Sequence, residues 1–276
     1  MGSRKWWGLV ASVVLVSACY GAMTQEAEND RGQAYYTGMG VPQNYQKAVY
    51  WFRKAAVQGL ALAQTRLGDA YYNGQGVPQN QQKAVYWYRK AAVQGYAKAQ
   101  FYLGDAYYYG QGVPKNYPKA RAWFRKAAVQ GNAKAELYMG FDFGKVVPTN
   151  EKSVYWWRKA ARQGNVKAEY DMANAYYTGH GVPKNYQKGA YWDRKAARQG
   201  NVTAEIGMGE AYASGNGVPA NYVQAYKWLA LANAQGGIIV HSLVSPTLNS
   251  LTQRMSPAQI TQAQTLAYEW EKAHGH

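Results

Sequence analysis

Few side chains in this 276-residue chain have the types and spacing that do chemistry. Histidine occurs four times, at His180, His241, His274 and His276, and no two stand at the helical spacing that aims two imidazoles at one zinc ion. The single cysteine, Cys19, cannot form a thiolate cluster and excludes an intramolecular disulfide. Glu169 with Asp171, and Glu205 with Glu210, are the carboxylate pairs that acid–base work would draw on. In each pair at least one acid reads more simply as a solvated helix residue. Gly-x-Gly recurs in the turns and marks no phosphate loop, and His180 stands where Gln75 and Gln111 stand elsewhere, a loop substitution. No catalytic residue, no metal ligand and no cofactor is expected, and the chain is read as a non-enzyme.

The elements that would position a site are set by a repeat of about 36 residues. Gly-Val-Pro or a near copy ends at Pro42, Pro78, Pro114, Pro148, Pro183 and Pro219. A tryptophan follows each, at Trp51, Trp87, Trp123, Trp156, Trp192 and Trp228, and Gln-Gly closes each unit, from Gly59 to Gly236. Units of this size bury their apolar faces against neighbours, so the expected fold is an all-α solenoid of one continuous array. Such an array offers a binding surface before it offers a catalyst.

Residues 61–95 serve as the type unit. Ala63, Leu67, Ala70 and Tyr71 give a first helix its apolar stripe over about Ala61 to Tyr72. Gly74 suits the left-handed cap that ends it, and Pro78 keeps the following loop extended. Asn80 reads as the N-cap of a second helix over about Gln81 to Gln94, with Ala84, Trp87, Tyr88 and Ala91 on one face. The tryptophan is expected to fill the space that the alanines leave. The fourth unit is shortened from 36 to 33 residues between Gly131 and Gly164, which bends the array, opens a pocket, or is neutral drift.

These residues resemble the Sel1-like repeat, a relative of the tetratricopeptide repeat. The pattern Ala-x-x-x-Leu-Gly-x-x-Tyr, Gly-x-Gly-Val-Pro-x-Asn, Lys-Ala-x-x-Trp-x-x-Lys-Ala-Ala-x-Gln-Gly is nearly unaltered at 63–95 and 99–131. It recurs with substitutions at 135–164, 168–200 and 204–236, and in 27–59 Arg31 replaces the leucine. The match therefore divides the chain into six repeats over 27–236 and a tail, 237–276, whose first part is hard to read. Met255, Ser256, Pro257 and Gln259 signal a final capping helix with apolar Ile260, Ala263, Leu266, Ala267 and Trp270. The resemblance implies a right-handed superhelix with first helices on its concave side. It also implies an adaptor that assembles protein complexes. One cysteine-rich branch of the family is linked to β-lactam binding and hydrolysis, but this chain lacks its disulfides. A cell-wall enzyme or a β-lactam- or peptidoglycan-binding protein is thus the alternative.

On the first helices, positions opposite the apolar stripe are rich in rings. The candidate partner-binding residues are Asp69 and Tyr72; Phe101, Asp105 and Tyr108; Phe141; and Tyr170, Asn174 and Tyr177. Clustered exposed aromatics mark contact surfaces, so a groove for a peptide or protein loop is expected. The other reading buries these rings between neighbouring repeats.

The chain carries 31 Lys and Arg against 15 Asp and Glu, a formal charge of +16. Arg-Lys pairs such as Arg53-Lys54, Arg89-Lys90 and Arg194-Lys195 form a ladder on the second helices. They are placed on the side away from the tryptophan and without acidic compensation nearby. The expected partners of that face are anionic envelope polymers rather than nucleic acid. Arg4, Lys5 and the apolar run from Trp6 to Ala18 read as a signal peptide. Val16-Ser17-Ala18-Cys19 resembles a bacterial lipobox, which makes Cys19 a lipidation site and 19–26 a tether. A plain secretory signal and an uncleaved anchor are the alternatives. Removing residues 1–18 leaves 31 − 2 = 29 basic groups and a charge of +14. Tyr20, which is not Asp, points to the outer membrane under the usual sorting rule. The expected location is the periplasm or outer membrane, with contact to the bilayer only through the lipid.

Overall fold

A computed structural model describes residues 23–141 and 151–274. Cys19 and the signal segment lie outside these residues. Fourteen helices occupy the described residues, and no strand occurs among them. In order they are α1 (Gln25–Thr37), α2 (Tyr45–Val57), α3 (Ala61–Asn73), α4 (Gln81–Val93), α5 (Ala97–Tyr109) and α6 (Tyr117–Val129). Then follow α7 (Ala133–Met139), α8 (Glu151–Arg162), α9 (Val166–Thr178) and α10 (Tyr186–Ala197). The last are α11 (Val202–Ser214), α12 (Tyr222–Gln235), α13 (Gly237–Thr252) and α14 (Pro257–His274). The chain divides into two compact units, Met1–Trp123 and Phe124–His276. Repeats that touch only their sequence neighbours carry no contacts that gather distant repeats into one body.

Local chemistry fixes the helix ends. Asn44, Asn80, Asn116, Asn185 and Asn221 each accept a hydrogen bond from the backbone N–H three residues on. Asn132, Asn165 and Asn201 do the same for α7, α9 and α11. These side chains satisfy donors that a helix start leaves open. First helices stop where glycine takes a left-handed backbone, as at Gly74 with φ 71°.

The core of each unit is built from alanine columns and, in every repeat but the fifth, one large residue. Ala48, Ala55, Ala63, Ala84, Ala91 and Ala99 are fully or almost fully buried in the N-terminal unit. The space they leave is filled by Phe52 and Tyr88, not by the tryptophan one residue earlier. Trp51 and Trp87 are only half-buried, which corrects the expectation from the helical wheel. Gly32 and Gly68 face these rings, and a Cβ on Gly68 would come within 2.5 Å of Tyr88 Cε1. The helices of one repeat therefore meet where a ring lies over a glycine.

Hydrogen bonds then tie successive repeats together. The Tyr36 hydroxyl donates to Gln75 Oε1 at 3.0 Å, and Tyr72 donates to Gln111 Oε1 at 3.1 Å. Tyr36 and Tyr72 thus clasp the loop of the next repeat. Tyr72→Phe should lower the stability of the N-terminal unit by about 1 kcal/mol in urea denaturation, the usual worth of one such bond.

The stretch 237–254, unreadable in sequence, is mostly the helix α13. Its Gly236-Gly237 start and interior Pro246 hide the helical period. Val244 and Leu251 are buried, whereas Ile238, Ile239 and Leu243 are exposed. The capping box of α14 is present. Ser256 N–H donates to Gln259 Oε1 at 2.9 Å, and Gln259 N–H donates to Ser256 Oγ at 3.3 Å. Ala263 and Ala267 face the core, and Trp270 stacks edge-on to Trp228 with centroids 5.2 Å apart.

Candidate functional site

The first polar feature is a rung inside each repeat. Glu28, Glu136, Glu169 and Glu205 project from first helices into the core, and each accepts from the glutamine that ends its own second helix. Gln199 Nε2 donates to Glu169 at 2.6 Å, and Gln163 Nε2 donates to Glu136 at 2.7 Å. Lys54, Lys159 and Lys195 add ion pairs to Glu28, Glu136 and Glu169 at 3.9, 3.2 and 3.4 Å. These lysines belong to the basic ladder. The expectation that the ladder lacks acidic compensation is therefore corrected, because the acids come from the facing helix. Its placement is corrected too. Lys54, Lys90, Lys159 and Lys195 lie over the rings of Trp51, Trp87, Trp156 and Trp192, three residues earlier on the same face. Arg53, Arg89 and Arg194 donate to Tyr71, Tyr107 and Tyr212. Repeat six differs, because Leu231 takes the lysine position. Glu205 keeps only Gln235, at 3.3 Å, and burial raises its carboxyl to about 7.

The second feature is a cleft of about 460 Å³ in the C-terminal unit. Tyr170, Asn174 and Tyr177 of α9 line one wall, and Ile206, Gly207 and Glu210 of α11 line the other. Asp193 of α10 and Tyr186 also face it. Asp193 is only 2% exposed. Its carboxyl is raised to about 7, first by burial and further by the Glu210 charge, with the Tyr177 hydroxyl opposing the rise. Neither Asp193 Oδ1 nor the Tyr177 hydroxyl has a hydrogen-bond partner. Burial and the Asp193 charge raise the Tyr177 phenol above its ordinary range.

The cleft gathers three of the predicted residues, Tyr170, Asn174 and Tyr177. The others are distributed differently. Asp69 accepts from the Tyr88 hydroxyl at 2.8 Å and pairs with Lys98 at 3.6 Å, so its carboxylate is engaged within the protein. Tyr72 is half-buried in its clasp. Phe101 is buried at 7% exposure, which corrects the expectation of a solvent-facing ring. Its ring lies 5.6 Å from that of Tyr102, its neighbour on the same helix. Asp105 and Tyr108 are half-buried, with Tyr108 edge-on to Tyr109 and Tyr117. Phe141 is 37% exposed and lies edge-on to Tyr138 and Trp157. Among the described residues no cluster of His, Cys, Asp and Glu could hold a metal ion.

Sequence reasoning missed Asp193, Gly189 and Gly207. The signal was present in register. Asp193 occupies the column of Phe52, Tyr88, Phe124, Trp157 and Leu229, and Gly189 the column of Ala48, Ala84, Ala120, Ser153 and Ala225.

Paired helices, bonded repeat to repeat within each unit, define an α-solenoid built from helical hairpins. The chain belongs to the Sel1 repeat family, whose repeat is matched at residues 25–60, 61–96, 97–132, 133–165, 166–201 and 202–237. Members of this family are generally non-enzymatic scaffolds for protein interaction. A Sel1 repeat protein from Oxalobacter formigenes is similar over 81% of this chain, with 34% identity and a TM-score of 0.71. The chain covers 66% of that protein, somewhat less than two thirds of its length. A protective antigen of uropathogenic Escherichia coli with the same repeat fold shares 28% identity, covering 90% of this chain and 68% of that one, at a TM-score of 0.43. Helicobacter pylori cysteine rich protein B shares 27% identity over 42% of this chain and 97% of its own, at a TM-score of 0.34. Among curated proteins none matches.

Proposed function

We propose that this chain is a scaffold of a bacterial envelope that holds a peptide or protein segment on its first-helix face. The observation that carries the reading is the cleft in which Tyr170, Asn174 and Tyr177 meet Ile206 and Glu210. Rigid rings beside a few polar groups bury area at small entropic cost, the pattern of binding hot spots. The envelope setting rests on the N-terminal charge, apolar run and Cys19. Among the described residues no helix is long and apolar enough to cross a membrane. Excess positive charge would add adhesion to anionic polymers, although much of the Arg-Lys ladder is engaged inside the fold.

A photo-crosslinking residue at Asn174 tests the reading. It should give discrete protein adducts in envelope extracts, whereas the same group at exposed Val93 should not. Tyr170→Ala should remove the adducts while leaving helicity intact. Equal adducts at both positions, or adducts indifferent to Tyr170, would refute the assignment.

A further inference from the structure

We propose that the cleft between α9 and α11 is a site for one compact cation, an ammonium or guanidinium group, held by Asp193 among the rings of Tyr170, Tyr177 and Tyr186. The proposal deepens the peptide-binding reading by naming the chemistry of the group that enters. It rests on that reading only for the source of the group.

At the other five repeats, the position of Asp193 holds a bulky apolar or aromatic side chain. The facing position on the next first helix supplies its neighbour. Arg66 lies over Phe52 at 5.5 Å, Tyr102 meets Tyr88 with centroids 5.0 Å apart, and Tyr138 stacks on Phe124 at 4.7 Å. Where repeat five meets repeat six both members are cut back, to Asp193 of α10 and Gly207 of α11. A Cβ on Gly207 would come within 2.5 Å of Asp193 Oδ2, so glycine is what admits the carboxylate. A Cβ on Gly189 would likewise collide with the Tyr177 ring, which fills the place that alanine takes elsewhere. Three coordinated departures open the cleft, and they leave a polar pair where the array otherwise puts rings.

That pair has little but itself. Asp193 is 2% exposed and its Oδ1 lacks a well-formed hydrogen bond, as does the Tyr177 hydroxyl, which lies close enough to favour the charged carboxylate. Two lysines already touch rings of the cleft: Lys167, paired with Asp171 at 2.7 Å, lies 4.9 Å from the Tyr170 centroid, and Lys184 lies 4.9 Å from the Tyr186 centroid. Arg194 donates to Tyr212, and Lys195 pairs with Glu169. Among the described residues the cleft wall holds two carboxylates, Asp193 and Glu210, and no basic side chain. An anion would be repelled, and a neutral group would leave the acid uncompensated. A cation satisfies the carboxylate and gains from the negative faces of the rings. The fold houses such a group already, since the Lys227 ammonium lies 4.7 Å and 4.2 Å from the Trp228 and Trp270 ring centroids. Burial raises the Asp193 carboxyl to about 7, so a cation entering beside it should favour the ionised form and release its proton.

The test is calorimetric titration of the full chain at pH 8 with three probes. Nα-acetyl-lysine methylamide should bind saturably, and its norleucine analogue, which lacks the ammonium group, at least tenfold more weakly. Asp193→Asn should weaken the lysine probe tenfold or more while the melting temperature holds or rises, and Glu210→Gln should weaken it less. The third probe, 1,5-diaminopentane, separates the sources. Tighter binding of the lysine probe assigns the cation to a peptide, and tighter binding of the diamine assigns it to a free amine. Equal binding of lysine and norleucine probes, an Asp193→Asn chain that binds like the parent, or no saturable binding would overturn the cation site. Asn174 adducts that persist in that case would leave the scaffold reading standing, whereas lysine binding without adducts would remove the scaffold reading alone.

Discussion

Tyr88→Ala should lower the stability of the N-terminal unit by about 4 kcal/mol, the range for deleting a buried ring. The ring is 4% exposed, lies over Gly68, and packs against Tyr102 at 5.0 Å. Its hydroxyl also donates to Asp69 at 2.8 Å. Alanine would leave a cavity and free a carboxylate that burial already raises above its ordinary range. Tyr88→Phe separates the two effects. It keeps the packing, loses one hydrogen bond to Asp69, and should cost about 1–2 kcal/mol, because Lys98 remains as a partner. Urea denaturation of the three chains checks both values. A loss under 2 kcal/mol for Tyr88→Ala would mean that the ring column is not the core of the repeat.

The C-terminal unit should grow less stable as pH rises from about 4 to about 8. Asp193 and Glu205 both have folded-state carboxyls raised to about 7, against ordinary values of 3.8 and 4.5. A carboxyl that is harder to ionise in the folded state binds its proton more tightly there. Its contribution is therefore fully present below the unfolded value. It is lost progressively as pH climbs to the folded value, and the penalty is constant above it. For Asp193 a rise from 3.8 to about 7 corresponds to about 4 kcal/mol at most. Glu205 adds in the same direction. Asp193→Asn with Glu205→Gln should flatten the dependence and raise stability at pH 8, with little change at pH 4. Glutamine is the residue that repeats two and three already place at this rung, as Gln64 and Gln100. Chemical denaturation across the pH series reads the effect, and a parent chain whose stability rises between pH 5 and pH 8 would contradict it.

Much of the fold was legible because each repeat states its own helix ends. Asn44, Asn80 and Asn221 precede second helices in one frame, and Gly38, Gly74 and Gly215 follow first helices in another. Helix α13 was not legible, since Gly237 and Pro246 break the only pattern available there. The site was half legible. Tyr170, Asn174 and Tyr177 fall on one wall by simple helical spacing. Phe101 occupies the same register and is buried, because a wheel divides one helix into inside and outside whereas a stacked helix has neighbours on two sides. Asp193 escaped notice for the opposite reason. Read along its own helix it is an ordinary acid, and only comparison down the column reveals a charge standing in place of a ring.

The bonds that join one helix to the next have a kinetic consequence. The rung of Glu28 and Gln58 closes 30 residues, and the clasp of Tyr36 and Gln75 closes 39. Loop-closure entropy depends on that separation and not on the length of the whole chain. Adding a repeat of this type by duplication therefore leaves the ordering cost of every existing bond unchanged, and the folding rate should be nearly indifferent to how many copies are strung together.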